Sequence, residues 1–370
     1  AVNKDVLLSI PLYLLAGNIM ARGVIAERLV RLMRSLTGPV PGGLGIAAIL
    51  SCALFAAVTG SGTVTLVAVG GVMYPALLQA GYSKGYAMGA LCTAGTLGVI
   101  IPPSIPLILY GVMTRTNIAD LFLAGIVPGV LLTMLLVGYS VWCNWRTRGD
   151  AWAWQEIRSA FAAGVWALLM PLLILGGIYT GVFTPTESAA VAVVYALLIE
   201  VCVYRDLRVG DLTAVFVQTG RLLGSLFPVL MLAFSLNMFL TYQQVPAAMV
   251  AWLTERITEP TVLLLGTNLF LLAIGCLMDI GSAILVLAPM LAPLAAQSGI
   301  DPVHFGIIMV VNLEIGYLTP PLGLNLIVAM SVFGEEFWTI CRAVVPFVVL
   351  MLAGLLLIVS FPPLATVFLQ

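Results

Sequence analysis

Apolar runs of about the 20 residues needed to cross a bilayer recur near positions 6–21, 85–113, 117–143, 164–182, 186–204, 224–242, 303–333 and 337–362. Two further runs, 44–79 and 261–297, are each long enough for two short helices but are interrupted midway by small polar residues. The interruptions are Thr59-Gly60-Ser61-Gly62-Thr63 and Asp279-Ile280-Gly281-Ser282. A single span does not carry such groups at its centre, because hydrocarbon offers them no partner. The pattern therefore predicts a re-entrant hairpin at each place, two short helices meeting at a tip inside the membrane. Residues 22–40 and 207–223 alternate charged positions (Arg22, Arg28, Arg31, Arg34; Arg208, Asp211, Arg221) with apolar ones at helical spacing. They read either as amphipathic helices lying along the interface or as solvated linkers, and the pattern leaves both open.

The helix breakers repeat. At a constant offset of 218 residues, Gly98 recurs as Gly316, Pro102-Pro103 as Pro320-Pro321, Pro75 as Pro293, Gly81 as Gly299 and Pro128 as Pro346. Proline inside an apolar helix removes a donor and frees carbonyls. In a membrane that is tolerated only where protein, water or an ion takes up the freed groups. Matching broken segments in two halves point to the binding site of a secondary transporter.

Composition makes lipid the solvent: of 370 residues 62% are hydrophobic and 8% charged, against about 25% charged in soluble domains. The net charge of −1 gives no basic footprint for nucleic acid. Six cysteines stand far apart without a CxxC pair and there is a single histidine, His304, so neither a redox pair nor a zinc or haem site is expected. No nucleophile–base pair stands out in the apolar runs, so an enzyme is the least expected class.

Orientation follows from charge. If 6–21 runs inward and both hairpins return to their side of entry, 12 of the 15 basic residues fall in the cytoplasm, leaving Lys4, Arg115 and Arg256 outside. A hairpin that crossed the membrane would degrade this bias. Three spans then separate the two halves, so the repeats are expected to be inverted. Trp142, Trp145, Trp152 and Trp154 cluster as an interfacial belt.

Within Gly95 to Ser104, Pro102 and Pro103 deprive the carbonyls around Gly98 to Ile101 of helical partners. The hydroxyl-rich tip 59–63 is the expected neighbour. Carbonyls and hydroxyls are hard oxygen ligands of low net charge, suited to Na⁺. The second half repeats the arrangement with Gly316 to Pro321 and the tip at Asp279, which aligns with Ser61. A carboxylate at membrane depth costs about 2.5–3.5 kcal/mol on insertion scales, and Na⁺ is the partner expected for it. An anionic substrate belongs between the tips, near Thr63, Ser104, Ser282 and Asn325, where short helices start. No arginine is expected at membrane depth, so binding by this chain alone should be weak. Glu314 remains open as a ligand, a proton site or a paired group. Glu187 reads as a helix start capped by Thr184 or Thr186, and His304 as a cap-region residue after Asp301-Pro302.

Five motifs, in order, are similar to one known family: AGNIMARG at 16–23, TGSGTV at 59–64, GTLGVIIPPSIP at 95–106, GVFTPTESAA at 181–190 and DPVHFGIIMVVN at 301–312. They resemble the large membrane subunit of tripartite ATP-independent periplasmic (TRAP) transporters over essentially the whole chain. The resemblance implies an all-α polytopic protein of the bacterial inner membrane, with two inverted repeats and an elevator-type transport domain on a scaffold. It implies sodium-driven import of an organic acid such as a dicarboxylate. The implied partners are a small four-helix membrane subunit and a periplasmic substrate-binding protein, with no cofactor beyond Na⁺ as coupling ion. Carried over by position, one sodium site takes Thr59, Ser61, Gly98, Ile101 and Pro103, and the other Asp279, Gly281, Gly316 and Thr319. The scaffold comprises 1–40 and 146–258, the transport domain 41–145 and 259–370. Two departures stand out. Gly62 occupies a tip position where the family often has a second serine, and family chains usually carry an additional span before the first helix seen here. A stand-alone sodium or proton symporter and a non-transporting scaffolding subunit are the rival expectations.

Overall fold

The computed structural model describes residues 7–147, 152–245, 248 and 259–369. Lys4, Arg148 and Arg256, three of the basic residues used to orient the chain, lie outside the described residues. Among the described residues the regular structure is entirely helical, and seven helices are long and apolar enough to cross a membrane.

Helix α1 (Ser9–Arg22) bends by 68° into α2 (Ile25–Thr37). The bend falls where apolar periodicity changes from all-round to one-sided. In α2, Ile25, Leu29 and Leu32 are buried while Glu27, Arg31 and Arg34 are exposed, the pattern of an interfacial helix. The second expected arm differs. Residues 207–223 are not set off from the following span, since α10 (Val209–Tyr242) is one helix of 34 residues, about 51 Å long at 1.5 Å per residue. Gly220, Gly224 and Pro228 all fall inside it, and neither glycine takes a left-handed φ, so nothing local ends it.

Both interrupted runs become helix pairs. α3 (Gly43–Thr59) and α4 (Gly62–Gln79) meet at Gly60-Ser61, and α11 (Pro260–Gly275) and α12 (Ile280–Gln297) meet at residues 276–279. Gly60 makes the first turn at φ +61°, a left-handed conformation that favours glycine. The runs 85–113 and 303–333 are broken where the prolines stand. α5 (Lys84–Thr96) is followed by a short turn and then α6 (Ile105–Thr114), and α13 (Pro302–Gly316) by α14 (Leu324–Phe333). Both Pro-Pro bonds are cis. Each half closes with a long helix, α7 (Ile118–Cys143) and α15 (Phe337–Ser360). Between the halves run α8 (Trp154–Tyr179) and α9 (Pro185–Val203). At the start of α9 the Thr184 hydroxyl accepts from Glu187 N–H at 3.2 Å, and Glu187 accepts from Thr184 N–H at 2.8 Å, the cap expected there.

The 218-residue offset maps 62–79 onto 280–297, the span of α12, and places the other helices within two residues of their counterparts. Packing respects the same relation. The first arm of each hairpin lies on the broken helix of its own half, α3 on α5 and α11 on α13. Other contacts cross over: α4 packs on α14 and α12 on α6, while α5 packs on α15 and α13 on α7. At the centre, Thr96 donates to the Glu314 carboxylate at 2.9 Å. These two positions are themselves 218 apart, so equivalent residues of the two halves meet there. α13 is buried on every side from Val303 to Gly316, which marks it as the core of the assembly. Around these halves, α1 packs on α9, α10 and α3, and α2 on α3 and α8.

Candidate cation and substrate site

The structure brings the two hairpin tips to one cavity of about 420 Å³. Ser61 and Thr63 of the first tip and Asp279, Gly281 and Ser282 of the second line it, together with Tyr317 from the second break. Val99 of the first break and Ile105, Pro106 and Leu109 of α6 add to the wall, as do Leu222, Ser225, Leu226 and Val229 of α10 and Leu14 of α1. α4 and α12 both begin at this cavity, so the electropositive ends of two helices face it.

Asp279 caps α12. Its Oδ2 accepts from Ser282 N–H at 2.9 Å and its Oδ1 from the Ser282 hydroxyl at 2.5 Å. Among the described residues the ion pairs are Arg28–Asp206 and Lys84–Glu335, and no basic side chain pairs with Asp279. A half-buried carboxylate on an apolar-walled cavity thus has its hydrogen bonds but no counter-charge.

The other members of the expected cation sets sit in the backbone layer beside this cavity rather than on its wall. In the first half, a Cβ built on Gly98 would stand 3.0 Å from the Ser61 carbonyl carbon, and one on Gly60 would stand 2.6 Å from the Pro103 oxygen. The break and the tip therefore touch backbone to backbone. Thr59, almost fully buried, shares hydrogen bonds with Thr65 Oγ1 at 3.1 Å and the Ser61 carbonyl at 3.3 Å. Ile101 donates its N–H to Leu97 O at 2.9 Å, and Pro102 has no N–H to offer Gly98. In the second half Gly316 meets Gly275 so closely that a Cβ would stand 2.5 Å from the Gly275 Cα. Leu322 N–H reaches across to the tip carbonyl of Cys276 at 3.1 Å, and the Thr319 hydroxyl is given to Ile315 O at 2.9 Å. Oxygen donors of hydroxyl and carbonyl type, with a single carboxylate, are a donor set that fits an alkali cation. No group of three His, Cys, Asp or Glu side chains arises among the described residues.

Two residues expected near the substrate have other partners. Ser104 is fully buried; its hydroxyl donates to Val99 O and accepts from Leu107 N–H at 3.3 Å. It supplies the hydrogen that Pro103 cannot give to Val99 and caps α6. Asn325, also buried, donates to Cys92 O at 2.9 Å. Neither lines the cavity. Sequence reasoning in turn missed Tyr317, one residue past Gly316, and the α10 wall, which only long-range packing creates. Glu314 is fully buried and away from the cavity wall. Thr96 serves one of its oxygens and the other has no hydrogen-bond partner. His304 is held in the first turn of α13, its N–H given to Asp301 Oδ1 at 3.0 Å and its ring Nε2–H to Ile358 O at 2.9 Å.

A family profile described as "Tripartite ATP-independent periplasmic transporter, DctM component" matches residues 1–364. The chain is 40% identical to the C4-dicarboxylate TRAP transporter large permease protein DctM of Pseudomonas aeruginosa, covering 96% of this chain and 84% of that protein. It is 37% identical to the isethionate TRAP transporter permease protein DctMQ of Oleidesulfovibrio alaskensis, covering 100% of this chain and 59% of that longer protein. Among solved structures it superposes on the YdaH transporter of Alcanivorax borkumensis with a TM-score of 0.68 at 18% identity, covering 95% of this chain and 84% of that one. That likeness is one of fold.

Proposed function

Because the chain belongs to the DctM family of tripartite ATP-independent periplasmic transporters, and is on that ground a multi-pass inner-membrane permease and not an enzyme, we propose that it imports an organic acid in symport with sodium. The observation that carries this reading is the single cavity where both tips converge with Asp279 lacking a counter-charge. A cation at each tip would offset that carboxylate and occupy the carbonyls freed by the proline breaks. The acid's carboxylate would sit between Ser61, Thr63 and Ser282 at the first turns of α4 and α12, where orphan N–H groups favour an anion.

In this reading the two halves are inverted repeats with re-entrant hairpins. Residues 41–145 and 259–370 then move as one body against a scaffold of 1–40 and 146–258. The contact of α10 and α1 with the tips is the surface on which such a body would slide. There, a Cβ on Gly17 would stand 3.0 Å from Thr59 O, so the absent side chain lets the two backbones pass closely. Sodium supplies the driving force, each charge moving down the potential yielding about 2.3 kcal/mol per 100 mV. Relatives named for a C4-dicarboxylate and for isethionate support an organic acid as the cargo class. The fused DctMQ relative and the tripartite family support a small membrane subunit and a periplasmic binding protein as partners.

The test is uptake of labelled acid into vesicles containing this chain and its small subunit, with the binding protein outside. Uptake is expected under an inward sodium gradient and is expected to vanish with choline in its place. Undiminished uptake without sodium would refute the coupling. Uptake without the binding protein would favour a stand-alone symporter instead.

A further inference from the structure

Arg22 closes α1, and a cation at a helix C-terminus needs no further reason than the helix dipole. Its surroundings supply one. A second cavity of about 430 Å³ lies beside the central one, lined by Asn18, Arg22 and Gln218 among others. Thr63 and Leu222 line both cavities, so the two share a wall of one tip residue and one α10 residue. α1 carries the connection: Gly17 abuts the tip at Thr59, and Arg22 lies five residues on, about 7.5 Å along the helix at 1.5 Å per residue.

Two arginines of α2 are committed elsewhere. Arg28 faces Asp206 at 3.5 Å and stacks over the Tyr204 ring at 3.7 Å, and Arg31 donates to Ser159 Oγ at 3.2 Å. Arg22 has no ion-pair partner among the described residues. Asn18 gives one amide N–H to Thr219 Oγ1 at 2.9 Å and keeps a second. A free guanidinium that shares with amide side chains a cavity adjoining the proposed cargo site is the chemistry that recognises a carboxylate.

We propose that Arg22, with Asn18 and Gln218, forms a second carboxylate-binding station beside the central cavity, where the acid is held as it leaves the two tips toward the cytoplasm. The station rests on the functional reading above and adds to it a place where this chain itself grips the anion. It lies at the end of α1 that the basic residues mark as cytoplasmic, so it acts after the tips and not before them.

The experiment measures equilibrium binding of succinate, malate, pyruvate and gluconate to the purified complex of both membrane subunits in saturating sodium. For whichever acid the wild type binds, Arg22→Gln should raise Kd about tenfold, the loss of one charge-assisted pair. Arg22→Lys should recover most of the affinity, and the sodium concentration giving half-maximal binding should not move. Arg31→Gln should match the wild type. An unchanged Kd for Arg22→Gln, or an equal rise for Arg31→Gln, would overturn the station while leaving the transporter reading intact. A wild type that binds none of these acids in sodium would overturn both.

Discussion

At the scale of single residues, the structure separates groups that hold the fold from groups that line the cavity. Asp279 does both, since it caps α12 and lines the cavity with no basic side chain paired to it among the described residues. Asparagine caps a helix about as well as aspartate, so Asp279→Asn separates the two roles. The variant should reach the membrane at wild-type levels and keep its thermal midpoint, yet lose sodium-dependent uptake. Loss of folded protein in place of transport would assign the residue to the cap alone. Ser104 is the converse case. Its hydroxyl bridges Val99 O and Leu107 N–H, so Ser104→Ala removes a cap and orphans a buried carbonyl, a loss of about 1–3 kcal/mol. A lower denaturation midpoint with KM for the acid unchanged is the expected result. The serine was readable as a hydroxyl near a break, but not its direction, because the proline that calls for its hydrogen is one residue away and the acceptor five.

At the scale of elements, the breaks and tips were legible because proline and glycine act locally. Two Pro-Pro pairs and two polar clusters mark both interrupted spans and both hairpin turns, with boundaries close to those observed. The long helix α10 was not legible as one piece. Nothing between Arg221 and Pro228 stops a helix, and a change from amphipathic to apolar composition shifts its environment without ending it. Its role as a cavity wall was invisible for the same reason, since Leu222 and Ser225 carry no motif and acquire meaning only opposite the tips. The contact of Gly316 with Gly275 was half legible: the offset flagged Gly316, while its partner has no glycine at the equivalent position, Ala57. Gly316→Ala should therefore cost stability toward the upper end of the about 1–3 kcal/mol typical of overpacking. The control is Gly176 in α8, where a Cβ would meet nothing within 4 Å; alanine there should be neutral or stabilising by about 0.5–1 kcal/mol. Thermal midpoints of the two variants in detergent compare them directly.

At the scale of the whole molecule, the two halves do not stand side by side but exchange partners. The second arm of each hairpin rests on the post-break helix of the other half, and each broken helix rests on the other half's closing helix. Thr96 and Glu314 mark the crossing point. In the movement proposed above, such interlocked halves would carry the proposed cation donors and cargo groups together. The same exchange binds the polypeptide to its own completeness. A chain severed in the connector around residue 150 leaves each fragment with naked faces that only its sibling can cover. Co-produced fragments should reunite into a working permease, whereas either one made by itself should be cleared by the cell's proteases, which immunoblots of the two cultures would reveal.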